Sequence, residues 1–170
     1  SSSNICTGAN VTFTATPVNG GATPTYQWQV NGINIGTNSN TYSSTTLANN
    51  DQVKVILTPT PGSCGTFPPA TSNIITMTVS SPVTPSVSVS PSATNICQGT
   101  NITFTATPVN GGAAPSYQWR IDGFNVGPNS AIFSTTGIGP GSHTIDVIMT
   151  SNATCATPTT ATSAPVNVTV

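Results

Sequence analysis

The chain contains no glutamate, and its 170 residues include two basic residues, three aspartates and one histidine, so charged side chains make up 3% of it. An ordinary soluble domain is roughly a quarter charged. Each deficit removes a class of function. Two cations make no basic footprint, so no nucleic acid is expected as a partner, and an anionic membrane surface is disfavoured for the same reason. The three aspartates and His143 are scattered along the sequence, and His143 aligns with no titratable residue of the other half. No acid–base pair is expected from such a distribution, which argues against an enzyme. Zinc wants four clustered ligands and calcium several carboxylates together, so neither a metal nor any other cofactor is expected. No apolar run is long enough to span a bilayer, which argues against membrane insertion. The chain opens on Ser1, Ser2 and Ser3, which reads as mid-sequence, after a removed leader or within a longer protein.

Polarity comes instead from Thr, Ser and Asn, residues that suit strands and turns better than helix interiors. Val, Ile and Thr alternate through much of the chain, with aromatics at repeated places. That pattern separates it from disordered chains, which are depleted in β-branched and aromatic residues.

Internal repetition sets the architecture. Asn4-Ile-Cys6 recurs as Asn95-Ile-Cys97, an offset of 91, and Phe13, Trp28 and Cys64 recur at the same offset as Phe104, Trp119 and Cys155. Thr12 to Ala22 recurs unchanged as Thr103 to Ala113. The register slips once, since Val53–Thr58 matches Ile145–Thr150 at 92. A period near ninety suits a small autonomous β-sandwich and exceeds that of a solenoid. The expected organisation is a first repeat over 1–79, a proline-containing linker over 80–85, and a second repeat over 86–170. Val87-Ser-Val-Ser90 has no counterpart in the first copy, because Ser1 aligns with Ser92. The first repeat therefore reads as lacking its first strand, as in a segment cut from a longer array.

Alternation in Val11–Thr16 puts Val11, Phe13 and Ala15 on one face and threonines on the other. Tyr26–Val30 runs into Asn31-Gly32, and the second copy has Asp122-Gly123 there. Both dipeptides suit a type I′ hairpin turn, which needs positive φ at its two central residues. Trp28 and Trp119 precede these turns. A glycan-stacking role is conceivable for them, but a sandwich buries a tryptophan at this place, and the core role is favoured.

Four cysteines allow three pairings. The repeat selects Cys6–Cys64 and Cys97–Cys155, so that each domain closes its own bridge. Such a bridge could contribute on the order of 4 kcal/mol in the chain-entropy model. It would also place the protein in an oxidising compartment.

The series Cys6-x-Gly8, Val11–Thr16, Pro24-x-Tyr-Gln-Trp28, Asn31-Gly32, Cys64 and Thr71–Val79 resembles the Ig-like or PKD-like repeats of large Bacteroidetes surface proteins of the gliding-adhesin type. The resemblance implies two tandem Ig-like antiparallel β-sandwiches in an all-β chain, export to the cell surface, and a mechanical or adhesive role. Ala15 and Leu57 stand where antibody-type domains carry their cysteines, so the bridges should tie loops near the sandwich ends. The expected function is a structural or adhesive segment of an extracellular fibre, partnered by neighbouring repeats or subunits. The alternative is a glycan- or surface-binding accessory module of a secreted enzyme, for which Tyr42, Phe67, Phe124 and Phe133 are the candidate aromatics.

Overall fold

The structure is a computed structural model that describes residues 2–60 and 67–170. Every regular element among them is a strand, and the chain divides into two compact units, Ser1–Ser81 and Pro82–Val170.

Unit 1 carries β1 (Asn4–Cys6), β2 (Val11–Thr14), β3 (Thr25–Val30), β4 (Ile33–Ile35), β5 (Thr41–Ser44), β6 (Gln52–Thr58), β7 (Ala70–Thr71), β8 (Ile75–Thr76) and β9 (Thr78–Ser80). One sheet runs β4-β3-β6-β7, with β8 also on β6; β2 pairs antiparallel with β5, and β1 pairs parallel with β9. Unit 2 carries β10 (Ser86–Pro91), β11 (Ile102–Val109), β12 (Ser116–Ile121), β13 (Phe124–Val126), β14 (Ile132–Thr135), β15 (Ser142–Thr150), β16 (Thr160–Thr162) and β17 (Val166–Thr169). Its sheets are β10-β11-β14 and β13-β12-β15-β16, with β17 also on β15. Each unit is thus a β-sandwich. The segment expected as a linker is partly built into unit 2: the Val83 amide donates to the Cys155 carbonyl, and Asn110 Nδ2 donates to the Thr84 carbonyl at 2.9 Å.

Period-two alternation places the core. On β15, Ile145, Val147 and Met149 are fully buried while Thr144, Asp146 and Ile148 face outward. On β6 the same face carries Val53 and Val55. At the centre of each unit three rings meet, Phe13–Trp28–Tyr42 in unit 1 and Phe104–Trp119–Phe133 in unit 2, with centroids 5.8–6.2 Å apart. Trp28 is 4% and Trp119 0% exposed. Each indole N–H is satisfied inside the core, Trp28 Nε1 by the Ser39 carbonyl and Trp119 Nε1 by that of Ser130.

The two hairpin tips are built alike. Asn31 and Gly32 have φ of 52° and 81°, and Asp122 and Gly123 have 51° and 81°. Positive φ at both central residues is the type I′ geometry, whose twist matches that of the flanking strands.

Candidate functional site

The titratable residues are not scattered once the chain folds, which corrects the sequence expectation. Asp122 receives three hydrogen bonds: from the Thr144 amide and hydroxyl on Oδ1, and from His143 Nδ1 on Oδ2 at 2.7 Å. His143 Nε2 lies 3.0 Å from the Gly139 carbonyl. Arg120 forms a two-pronged contact with Asp146, directly across the β12–β15 ladder. Unit 1 has a parallel arrangement with different chemistry. Asn31 Nδ2 donates to Asp51 at 2.8 Å, and the Gln52 amide donates to Asn31 Oδ1. Thr144 pairs with β17 as Gln52 does with β8, so His143 stands where Asp51 stands in unit 1. The register slip therefore falls before Asp51, not beside Val53.

The Thr144 amide and then His143 hold the Asp122 carboxyl below its ordinary value, while Asp122 and then the Gly139 carbonyl raise the His143 imidazole. Both ring nitrogens face acceptors, so the clasp favours an imidazolium and leaves no nitrogen to take a proton from a nucleophile. This is the arrangement of a structural clasp. Its stability contribution is present above the usual aspartate pKa of 3.8 and is lost as pH falls through the lowered Asp122 value. The histidine contribution is present below the usual 6.5 and is lost as pH rises through the raised His143 value. Unit 2 is therefore expected to melt at a slightly higher temperature near pH 5 than near pH 8. His143→Gln should flatten that difference in a calorimetric pH series; a wild-type profile already flat would contradict the clasp.

The cysteines depart from the expected pairing in unit 2. Cys97 is a free, exposed thiol, whereas Cys155 is disulfide-bonded, so the Cys97–Cys155 bridge does not form. Strand geometry gives the reason. Asn95 bridges Thr169 and the Ile96 amide donates to the Thr169 carbonyl, and Thr169 is the partner of Ser142 at the start of β15. Cys155 follows the other end, where Thr150 pairs with Thr160 and the Asn152 amide meets the Gly111 carbonyl. The nine-residue length of β15 separates these ends by about 27 Å at 3.3–3.4 Å per residue, whereas bridged Cα atoms lie roughly 4.4–6.8 Å apart. In unit 1, Cys6 ends β1 and is disulfide-bonded, and Cys64 lies outside the described residues. Iodoacetamide is expected to modify Cys97 in unreduced protein, and Cys6 and Cys155 only after reduction. Peptide mass spectrometry that finds Cys97 protected in unreduced protein would overturn this assignment.

Of the four aromatics considered for glycan contact, Tyr42 and Phe133 belong to the ring clusters. Phe67 and Phe124 are exposed, Phe124 by 76% beside the hairpin tip. Among the described residues no group of three or more His, Cys, Asp or Glu is close enough to hold a metal ion.

Unit 1 holds a groove of about 730 Å³. One wall is the outer edge of β2 and its continuation through Val18; the floor is Trp28 with Val53, Val55 and Leu57 of β6; the far wall is the segment from Ala70 to Ile75. It is apolar at its base and lined by hydroxyl side chains at its rim. Sequence reading did not locate this groove.

No family model matches the chain. It is 32% identical over 171 residues to a highly immunogenic outer capsid protein of Enterobacteria phage T4, covering 96% of this chain and 45% of that protein. The chain thus spans under half the length of this curated relative. Among solved structures it is similar to the fibronectin(III)-like modules of CbhA from Clostridium thermocellum, with 18% identity and a TM-score of 0.45 over 97% of this chain and 86% of that one.

Proposed function

We propose that the chain is a structural and adhesive segment of an extracellular fibre or surface adhesin. One observation carries this reading: duplication has kept the packing and changed the chemistry. The ring cluster, the indole hydrogen bonds and the I′ turn occur in both units. Every charged position differs between the copies, with Asp51 replaced by His143, Lys54 by Asp146, Gln29 by Arg120 and Asn31 by Asp122. A reaction centre or ligand site would need the reverse. The T4 relative is an outer capsid protein, which supports a surface-exposed structural element of a larger assembly. The motif series supports the finer assignment to bacterial surface repeats of the Bacteroidetes type. The disulfide bonding of Cys6 and Cys155 supports an oxidising, extracellular setting.

Electron microscopy of native extracellular material, with denaturing non-reducing electrophoresis in parallel, tests the proposal. Fibres or beaded threads containing this polypeptide are expected. Material that is monomeric and globular would reject it. The second reading, a glycan- or surface-binding module of a secreted enzyme, is favoured only by the exposure of Phe67 and Phe124. The counterpart of Phe124 in unit 1 is Ile33, which is no stacking platform. Silence on a glycan array would count against that reading.

A further inference from the structure

We propose that Asn31 is a site of hydrolytic modification, an Asn-Gly amide that its clasp to β6 protects and that converts irreversibly to aspartate or isoaspartate once the clasp opens.

Asparagine is thermolabile, most of all before glycine, where no side chain hinders the next backbone nitrogen. That nitrogen loses its proton to water, bonds to the asparagine Cγ and expels the side-chain nitrogen as ammonia. Water then opens the five-membered imide. Breaking the new Cγ–N bond leaves aspartate, and breaking the bond to the main-chain carbonyl carbon leaves isoaspartate. Either route consumes one water and releases one ammonia.

The chain carries this dipeptide three times, as Asn19-Gly20, Asn31-Gly32 and Asn110-Gly111. Gly20 and Gly111 are buried between proline rings, Pro17 with Pro24 and Pro108 with Pro115, where an added Cβ would stand 3.1–3.3 Å from the nearest ring carbons. Backbone rotation toward ring closure is obstructed there. Gly32 is exposed at a hairpin tip, and nothing lies within 4 Å of the same position. Crowding therefore does not guard Asn31, and its guard is polar. Asn31 Nδ2 donates to Asp51 Oδ1 at 2.8 Å, and Asn31 Oδ1 accepts from the Gln52 amide at 2.9 Å. Both partners lie at the start of β6, which pairs with β3 on the edge opposite β4. The carboxamide is thus held toward β6. Bringing Cγ within the roughly 3–3.5 Å that attack by the Gly32 nitrogen requires means giving up both bonds.

The product cannot restore the clasp. Asp122 shows that this turn position accommodates a carboxylate, but there the partner is His143. An aspartate at position 31 can still accept from the Gln52 amide, yet it meets the carboxylate of Asp51, and like charges replace a hydrogen bond. A closed tip keeps its amide, and an opened one carries a permanent mark.

The test incubates the full chain, folded and in urea, at mildly alkaline pH. Peptide mass spectrometry with an isoaspartate-specific methylation assay follows all three asparagines. Asn31 should convert roughly 10- to 100-fold more slowly in the folded chain than in the unfolded one, the range two hydrogen bonds supply. Asp51→Ala should speed conversion of folded Asn31 about tenfold and leave Asn19 and Asn110 unchanged. Asn31→Asp should lower the Tm of unit 1 at neutral pH, and Asp51→Asn in the same chain should restore it. Equal rates at Asn31 in folded and unfolded chain overturn the proposal, as does a folded Asp51→Ala chain that converts no faster. An Asn31→Asp chain as stable as the wild type overturns it too. Asp51 also accepts the Ala48 amide. Should Asp51→Ala therefore fail to fold, the wild-type rates and the Asn31→Asp melting curves still decide.

Discussion

Trp119→Ala is expected to destabilise unit 2 by about 3–5 kcal/mol, the cost of removing a large buried ring that the core cannot close over. Trp119 has no exposed surface and contacts both Phe104 and Phe133. Its truncation also strips the part-buried Ser130 carbonyl of its indole donor. For a domain of this size such a loss approaches the whole of its stability. Trp28→Ala should cost unit 1 distinctly less, because Trp28 borders the open groove and water can enter the space vacated. Urea unfolding followed by far-UV circular dichroism separates the two variants. A loss below about 1 kcal/mol for Trp119→Ala would mean that the ring cluster is not what holds the sheets together.

The second large effect concerns β10. Val87→Asp sets a carboxylate on the apolar face of unit 2 in place of a valine that is 8% exposed. Loss of the valine's burial and the penalty for the polar replacement together amount to about 3 kcal/mol. The variant should also convert unit 2 toward the form unit 1 already has. The β11 amides that face β10, Thr105 and Thr107, should lose protection, whereas the Ala106 amide keeps its bond to the Ala131 carbonyl on the opposite side. Hydrogen exchange reads this directly at the Thr105 and Thr107 amides. Retained protection at Thr107 with an unchanged Tm would show that β11 holds its length without β10.

That comparison also shows where sequence reading stops. Val11–Val18 and Ile102–Val109 differ by one methylene at the first position, yet one forms a strand half the length of the other. Local propensity is the same in both, and the partner strand decides, as β-propensity reflects cross-strand packing more than backbone preference. The hairpin tips were legible because their requirement is local: Asn-Gly and Asp-Gly tolerate positive φ whatever surrounds them. Alternation on β3 and β6 revealed the core faces for a similar reason. The cysteines were misassigned because spacing along a chain does not say which end of a strand each residue occupies. A repeat of 91 suggested closure within each copy, and β15 holds Cys97 and Cys155 at opposite ends. The clasps were hidden by the register slip. One residue inserted between the buried pair Leu47 and Ile138 and the following strand moved His143 out of line with Asp51. A carboxylate leaving one strand as another appears on its neighbour was the signal that could have found it.

The exchange of charge between copies bears on how such a chain avoids tangling as it folds. Adjacent domains with eleven identical consecutive residues risk trading strands, because each can complete the other's sheet. If β6 were to enter the sheet of unit 2 in place of β15, Asp51 would face the carboxylate of Asp122, and Lys54 would face Arg120 across the ladder. Two like-charge contacts would replace two favourable ones, and directly opposed like charges are unfavourable in a sheet. In the reverse exchange, β15 in unit 1 would set His143 and Asp146 against the neutral Asn31 and Gln29, losing both favourable contacts. Placement of the few ions thus disfavours a borrowed strand in either sheet, by repulsion in one and by lost pairing in the other.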